Sequence, residues 1–170
     1  MQLVYKNLCL QPAIISDIDL LNRIYSDAAY EYKNIRNYKL ITPMTYLTFG
    51  ELPPNGDRNY FELFSIIENS FIIGYLTLYI GYPTEDDLVI TYMYISEEHR
   101  NKGYGSIIID RLCEYYSKSD YKTIRAIIPM ISDKIEDFWI SNSFTKVEEE
   151  EECGYFNEST VKRVEYIRKI

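Results

Sequence analysis

The stretch that most constrains this chain is residues 86–116, which reads DDLVITYMYISEEHRNKGYGSIIIDRLCEYY. An apolar run ends in a short polar turn, the turn carries Gly103 and Gly105, and a helical pattern begins directly after it. The first N–H groups of a helix have no partner within the helix, and the helix dipole places about half a positive charge there. A strand that leads through such a turn into a helix is therefore suited to holding a phosphate.

The turn itself, RNKGYGS at residues 100–106, adds detail to this prediction. Its glycines can take positive φ or allow close backbone approach, and Arg100 and Lys102 add positive charge. Two other phosphate motifs do not match. A P-loop requires Gly-Lys-Ser/Thr four residues after a first glycine, and a dinucleotide fingerprint requires a third glycine where this chain has Ile108. The turn predicts a pyrophosphate site of a different kind.

Composition limits the partners of the chain. With 18 Lys and Arg against 26 Asp and Glu, the formal net charge is −8, which disfavours nucleic acid and favours a cationic small molecule. One histidine and three widely spaced cysteines predict neither a metal site nor a disulfide framework. No leader pattern and no apolar run of about 20 residues is present. We therefore expect a soluble, cytoplasmic, single-domain chain over residues 1–170 with no membrane partner.

The hydrophobic periodicity predicts the element order β, α, α, β, β, β, α, β, α, β, β. This order, with several hairpins, indicates an α+β (mixed α/β) fold rather than a regular βαβ array. The five acids at 148–152 are interpreted as a solvated strand edge. Predicted strands cover residues 3–10, 60–68, 71–80, 88–95, 122–128, 144–147 and 161–167, and predicted helices begin near residues 16, 42, 103 and 132.

Arg-x-x-Gly-x-Gly between an apolar strand and an amphipathic helix resembles motif A of the GCN5-related N-acetyltransferase (GNAT) family. The segment 138–144, FWISNSF, is similar to motif B of that family, with Ser143 where glycine is usual. The resemblance spans nearly the whole chain. It implies a central mixed sheet of six or seven strands flanked by about four helices.

The resemblance also implies an activity: direct transfer of an acetyl group from acetyl-CoA to a primary amine of a small molecule or protein. The acceptor is expected to be cationic, given the acidic chain. The pantetheine arm would pair with the strand backbone, and the pyrophosphate would sit on the turn, with Ser132 where the family often has a cofactor-touching Asn. The predicted cofactor-binding residues are Met93, Tyr94, Ile95, Arg100, Asn101, Lys102, Gly103, Tyr104, Gly105 and Ser106.

Catalytic groups are harder to assign from the sequence. The family commonly places a proton-donating Tyr five residues before the motif B Phe, and that position is Trp139 here. Another Tyr could serve, or the thiolate could leave unassisted. A backbone N–H at Ile95 could polarise the thioester carbonyl.

In the family that the chain resembles, the general base is often an acid or a His on the strand before the turn. Val89 and Thr91 stand at the matching positions and cannot act as bases. Asp87, of the same parity, is therefore the predicted base, with Glu68 and Tyr92 as further options.

Two alternative hypotheses remain open from the sequence: a protein that binds acetyl-CoA without turnover, and a structural domain with no cofactor. Direct transfer needs no cysteine acyl-enzyme, and Cys113 falls inside a helical pattern, where a core role is expected. The loop at 53–56 follows the early helices, a region that covers the acceptor site in the family. The oligomeric state is left open, with a homodimer as one arrangement.

Overall fold

The computed structural model describes residues 1–33, 40–129, 132–147 and 163–170. Its strands form one mixed sheet in the order β1-β2-β3-β4-β5-β6-β8-β7, in which β5 and β6 are parallel and all other neighbours are antiparallel. The strands are β1 Leu3–Tyr5, β2 Leu8–Pro12, β3 Phe61–Glu68, β4 Phe71–Ile80, β5 Asp87–Ile95, β6 Thr123–Pro129, β7 Thr145–Lys146 and β8 Arg163–Lys169.

The described residues form four α-helices: α1 Ile18–Tyr32, α2 Pro43–Thr48, α3 Tyr104–Tyr116 and α4 Asp133–Ser141. Helix α2 starts as the sequence predicts, because the Thr42 side chain accepts a hydrogen bond from the Thr45 N–H at 3.2 Å and Pro43 takes a first-turn position. Helix α1 begins at Ile18, two residues after the predicted start near residue 16. A short 3₁₀ turn precedes α1, and Asp17 accepts from the Ile14 N–H at 3.1 Å.

The two faces of the sheet carry different cores. On one face, Ile109 and Leu112 of α3 and Trp139 of α4 join a cluster that includes Leu76 and Ile90 of the sheet. On the other face, α1 and α2 pack on a cluster rich in tyrosine, in which Tyr75 and Tyr92 stack with ring centroids 5.3 Å apart. The central strands are therefore covered on both sides, as their nearly continuous apolar sequence predicts.

A bulge and a fork shape the middle of the sheet. Thr77 of β4 is paired with Tyr92 of β5, and the next residue of β4 is paired with Ile90, so Thr91 is the extra residue of a β-bulge. Bulges bend a strand and increase its twist. The parallel pairing of β5 with β6 is recorded from Asp87 to Ile90, and in the described part of the chain it does not continue along β5. The two strands therefore diverge beyond Ile90.

The predicted α+β class is confirmed, with eight strands rather than six or seven. The extra strand arises because the predicted strand at 3–10 is a hairpin. Lys6 has φ 53°, and β1 is antiparallel to β2, with Tyr5 opposite Leu8. The acidic run at 148–152 lies outside the described residues. No helix in the described ranges has both the length and the apolar character required to cross a membrane.

Candidate functional site

The fork between β5 and β6 opens into a cleft of about 730 Å³. One wall is the last part of β5, the mouth is the turn before α3, and the opposite wall is α4. The cleft is lined by Glu31, Tyr32, Tyr92, Met93, Tyr94, Ile95, Glu97, His99, Arg100, Asn101, Gly103, Tyr104, Gly105, Ser106, Ile128, Ser132, Lys134, Ile135, Phe138 and Trp139. The structure thus brings together nine of the ten predicted cofactor residues, with Lys102 not among the lining residues.

The end of β5 offers backbone to this cleft. Met93 and Ile95 pack toward the α3 face, whereas Tyr94 packs toward the α1 face. These residues are paired with β4 on one edge. Since β6 has diverged, the other edge faces the cleft, where an extended polar ligand could pair with it.

The turn before α3 is built on two glycines with different roles. Gly103, the N-cap, has φ 78°, and a Cβ there would meet nothing within 4 Å. Gly105 is tightly packed instead, since a Cβ there would lie 2.9 Å from Phe138 Cε2 and 3.1 Å from Met93 Cε. Glycine is therefore favoured at position 103 because the backbone has a positive φ there. At position 105 it is favoured because α3 and α4 approach too closely for a side chain.

The Arg100 side chain is engaged within the protein. Its Nε donates to the Ile95 carbonyl at 2.7 Å, its guanidinium donates to Glu31 Oε1 at 2.8 Å, and it lies 4.7 Å from the centre of the Tyr94 ring. The Tyr94 hydroxyl donates to the same Glu31 oxygen at 2.7 Å. Burial and this bond raise the pKa of Tyr94 well above its ordinary range. Arg100 thus joins the turn to β5 and α1, beyond the predicted role of adding charge.

Among the residues that the structure describes, two lysines lie near the cleft in addition to Arg100. Lys102 is exposed in the turn. Lys134, in the first turn of α4, lines the cleft and was missed by sequence reasoning. Lys134 was hard to identify from the sequence, because an exposed lysine near the start of a helix is common. Their placement fits an anionic ligand at the mouth.

A hydrogen-bonded group ties the turn to β3. The Tyr104 hydroxyl donates to Glu68 Oε1, which raises the pKa of Tyr104. His99 Nε2 lies 3.7 Å from Glu68 Oε2, and its Nδ1 lies 3.0 Å from Ser96 Oγ. Glu68, named from sequence as an alternative base, is therefore held by neighbours of the turn.

Asp87, the predicted base, lies at the start of β5, whereas the cleft is at its end. Ile95 is eight positions after Asp87, which corresponds to roughly 26 Å of strand. Asp87 is buried, accepts from the Thr84 hydroxyl at 2.8 Å and lies 3.4 Å from Arg125 Nε. It is not among the residues that line the cleft. This placement argues against the predicted catalytic role and indicates a structural one.

A second cavity, of about 560 Å³, adjoins the first on its α1 side. It shares Glu31, Tyr94 and Glu97 with the main cleft. Its full lining is Asp27, Tyr30, Glu31, Tyr94, Ser96, Glu97 and Glu98. We call this cavity the acidic hollow, because four of its seven lining residues are carboxylates and none is basic.

The arrangement can hold a long ligand in two parts. An exposed strand edge suits an amide-containing arm, and a helix N-terminus flanked by cations suits a phosphate. No group of His, Cys, Asp and Glu suited to a metal ion occurs within the described residues.

Comparison with known proteins agrees with this geometry. The model of a family described as "Acetyltransferase (GNAT) family" matches residues 19–132, more than half of the chain. No curated protein gives a significant match to the sequence. Solved structures do match over almost their entire length.

Three of these structures illustrate the likeness. RimL, a ribosomal L7/L12 alpha-N-protein acetyltransferase in complex with coenzyme A, matches with a TM-score of 0.75 and 17% identity over 99% of this chain and 97% of that one. Spermidine N-acetyltransferase from Vibrio cholerae, solved with CoA and spermine, gives 0.69 and 14% over 97% and 96%. An N-acetyltransferase from Staphylococcus aureus Mu50 gives 0.69 and 20% over 96% and 99%. At these identities the likeness is one of fold.

Proposed function

The chain belongs to the GNAT acetyltransferase family, as its motifs predicted, and on that premise we propose that it transfers an acetyl group directly to a primary amine of a cationic acceptor. The family membership makes it an acetyltransferase that uses acetyl-CoA as co-substrate. The cationic nature of the acceptor and the direct route of transfer are the two parts of the proposal.

The residues of the main cleft fit acetyl-CoA. We propose that the backbone of Met93 to Ile95 holds the pantetheine arm and that the N–H groups of residues 101–106 hold the pyrophosphate. Lys102 and Lys134 are placed to neutralise phosphate charge. The acyl thioester supplies the electrophile. Local cations are needed, because the chain as a whole carries a formal net charge of −8.

The acidic hollow is the observation that supports a cationic acceptor. It adjoins the cofactor cleft, and a ligand that fills it reaches the cleft past Glu31 and Tyr94. Carboxylates attract an ammonium group and raise its local concentration. A polyamine, or a peptide with a basic N-terminal segment, has the matching charge. The fold neighbour solved with spermine acts on such a polycation.

An amine must lose a proton before it attacks the thioester. With an ordinary pKa near 10.4, about one molecule in 2,500 is neutral at pH 7, which costs roughly 4.6 kcal/mol. Glu31 and Glu97 are the two carboxylates that line both cavities, and of these Glu31 accepts hydrogen bonds from Tyr94 and Arg100, both at Oε1. In the described part of the chain Oε2 has no hydrogen-bond partner. We propose that Oε2 binds an ammonium group of the polycation, while the amine that attacks the thioester loses its proton to solvent.

Direct transfer is supported by the position of Cys113. This thiol is buried among the residues of α3, and burial raises its pKa. It does not line the cleft. A thiol in that state is a poor nucleophile, since the thiolate is the reactive form.

The test is thiol release from acetyl-CoA in the presence of an acceptor panel: polyamines, aminoglycosides, amino acids and peptides with basic or acidic N-terminal segments. We expect turnover with polycations, with KM rising as salt is added because exposed charges are screened. Glu31→Gln should raise that KM by about tenfold, while Glu85→Gln, an exposed acid elsewhere, should leave it unchanged. Equal turnover with neutral or acidic amines would contradict the cationic acceptor. Acetyl-CoA binding without thiol release from any amine would contradict catalysis.

A further inference from the structure

The closed end of the cofactor cleft is defined by the strand pairing. Ile90 and Ala126 are the last partners in the parallel ladder of β5 and β6. Beyond them, Tyr92 on β5 and Ile128 on β6 stand on the two walls of the cleft. The cleft therefore narrows toward the pair Ile90–Ala126 and opens toward the turn before α3.

Trp139 stands beside this closed end. Its ring stacks on Tyr166 at 6.3 Å with an interplanar angle of 22°. Tyr166 of β8 is directly opposite Ala126 of β6, the residue at the fork. Trp139 also lines the cleft, so its indole forms part of the wall where β5 and β6 meet.

The indole is fixed from several sides. It packs edge to face on Phe144 at 4.9 Å and on Phe138 at 5.1 Å, in addition to the stack on Tyr166. Only 3% of its surface is exposed. A side chain held by three rings cannot move aside without repacking the core, and close-packed cores resist an added methylene.

A ligand that places its phosphates on the turn and its arm along β5 directs its other end toward the fork. From Ile95 to Ile90 the strand covers roughly 17 Å. The reactive end of an acyl-CoA therefore lies near Trp139 if it binds as the family requires. This position of the acyl group rests on the proposed binding of acetyl-CoA in the cleft. It does not depend on the identity of the acceptor.

We propose that Trp139 is the residue that restricts the acyl group to acetyl. Its indole closes the space that a third or fourth acyl carbon would need. The family position at which a proton-donating tyrosine is common is thus used here to set acyl-chain length. Discrimination of about tenfold for each added methylene is expected, the usual size of such a steric effect.

Binding measurements test this acyl-chain selectivity without any acceptor. Dissociation constants are determined by titration for CoA, acetyl-CoA, propionyl-CoA and butyryl-CoA. The wild type should bind acetyl-CoA about 100-fold more tightly than butyryl-CoA, which has two more methylenes. Trp139→Leu, which removes ring volume but stays apolar, should bring the two affinities within about threefold. Trp139→Phe, a smaller change that tests the same wall if the Leu variant does not fold, should give an intermediate ratio.

Phe144→Leu is the matched control. Phe144 belongs to the same ring cluster but does not line the cleft. Its replacement should therefore lower stability and leave the ratio of the acetyl-CoA and butyryl-CoA affinities as in the wild type. Equal affinity of the wild type for all four ligands would overturn the proposal, as would an unchanged ratio in both Trp139 variants. A protein that shows the predicted ratios but releases no thiol with any amine would fail the proposed function and keep this inference.

Discussion

We propose that the two sides of the central sheet recognise different ligands, and they do so with different chemical groups. On the α3 and α4 side, the cofactor cleft is made of strand edge, helix N-terminus and two glycines. On the α1 and α2 side, the acidic hollow is made of carboxylates and tyrosine rings. The first side uses backbone groups that every residue carries. The second depends on particular side chains, and it can change its ligand without a change of fold.

The two sides are joined by the group formed by Glu31, Tyr94 and Arg100. Arg100 belongs to the cofactor turn, Glu31 to α1, and Tyr94 to the strand between them. Arg100, the cation that the sequence predicted to lie near the phosphate, thus also bonds to Glu31 of the acidic hollow. A substitution on one side should therefore alter the binding of one ligand only. A substitution within this group should alter the binding of both ligands.

The largest effect is expected from Gly105→Val. The added atoms would collide with the Phe138 ring and with Met93, and would force α3 away from α4. Overpacking of this kind costs about 1–3 kcal/mol, and a binding loss of that size would lower acetyl-CoA affinity by about 5- to 150-fold. The measurement is the thermal shift produced by acetyl-CoA. Gly81→Asn is the control, because Gly81 also has positive φ, 79°, and lies outside the cleft; a normal shift for Gly105→Val would refute the close-approach argument.

Arg100→Met should affect both sides, by about tenfold each. It removes a charged hydrogen bond to the Ile95 carbonyl and the partner of Glu31. We expect a weaker dissociation constant for acetyl-CoA and a raised KM for the acceptor. Arg23→Met, an exposed change on α1, should alter neither. If Arg100→Met weakens acetyl-CoA binding alone, Arg100 serves the cofactor side and the coupling between the two sides is refuted.

The smallest effect concerns Tyr32 and appears only at high pH. Burial, together with the nearby Glu31 carboxylate, raises the pKa of this phenol to about 12. The unfolded chain loses the proton near pH 10 and the folded chain keeps it to about pH 12, so stability is intact below pH 10 and falls across that window.

Urea unfolding between pH 8 and 11.5 checks this slope. Tyr32→Phe should remove roughly 1–3 kcal/mol of the alkaline loss, whereas Tyr60→Phe, at an exposed ring, should follow the wild type. Parallel curves for Tyr32→Phe and the wild type would mean that Tyr32 is not the group that titrates.

The same contrast explains what sequence could predict. The proposed cofactor turn is local: strand, glycines and helix lie within about thirty consecutive residues, and their chemistry follows from backbone rules. The acidic hollow combines α1 with the residues after β5, some 70 positions apart. Nothing in the periodicity of either segment brings Asp27 and Glu98 together. The position of Asp87 away from the cleft was not predicted for a related reason, because side-chain alternation along a strand gives the face of the sheet and not the end of the strand.

Lys134 and Trp139 show an intermediate case. Both lie in the predicted motif B helix, and the position of that helix was correct to within a residue. Which of its side chains line the cleft depends on how α4 packs against the start of α3, where Phe138 meets Gly105. That contact is tertiary, so the helix was predictable and its role in the wall was not.

The most direct test of the central claim is an amide NMR titration of the protein with acetyl-CoA. Backbone recognition predicts that the largest shift changes fall on Met93 to Ile95 and on residues 101–106. Amides of the acidic hollow outside these segments, such as Asp27 and Glu98, should change little until a cationic acceptor is added. Changes centred on α1, with the turn amides unaffected, would contradict the assignment of the cofactor to the β5 edge and the α3 N-terminus.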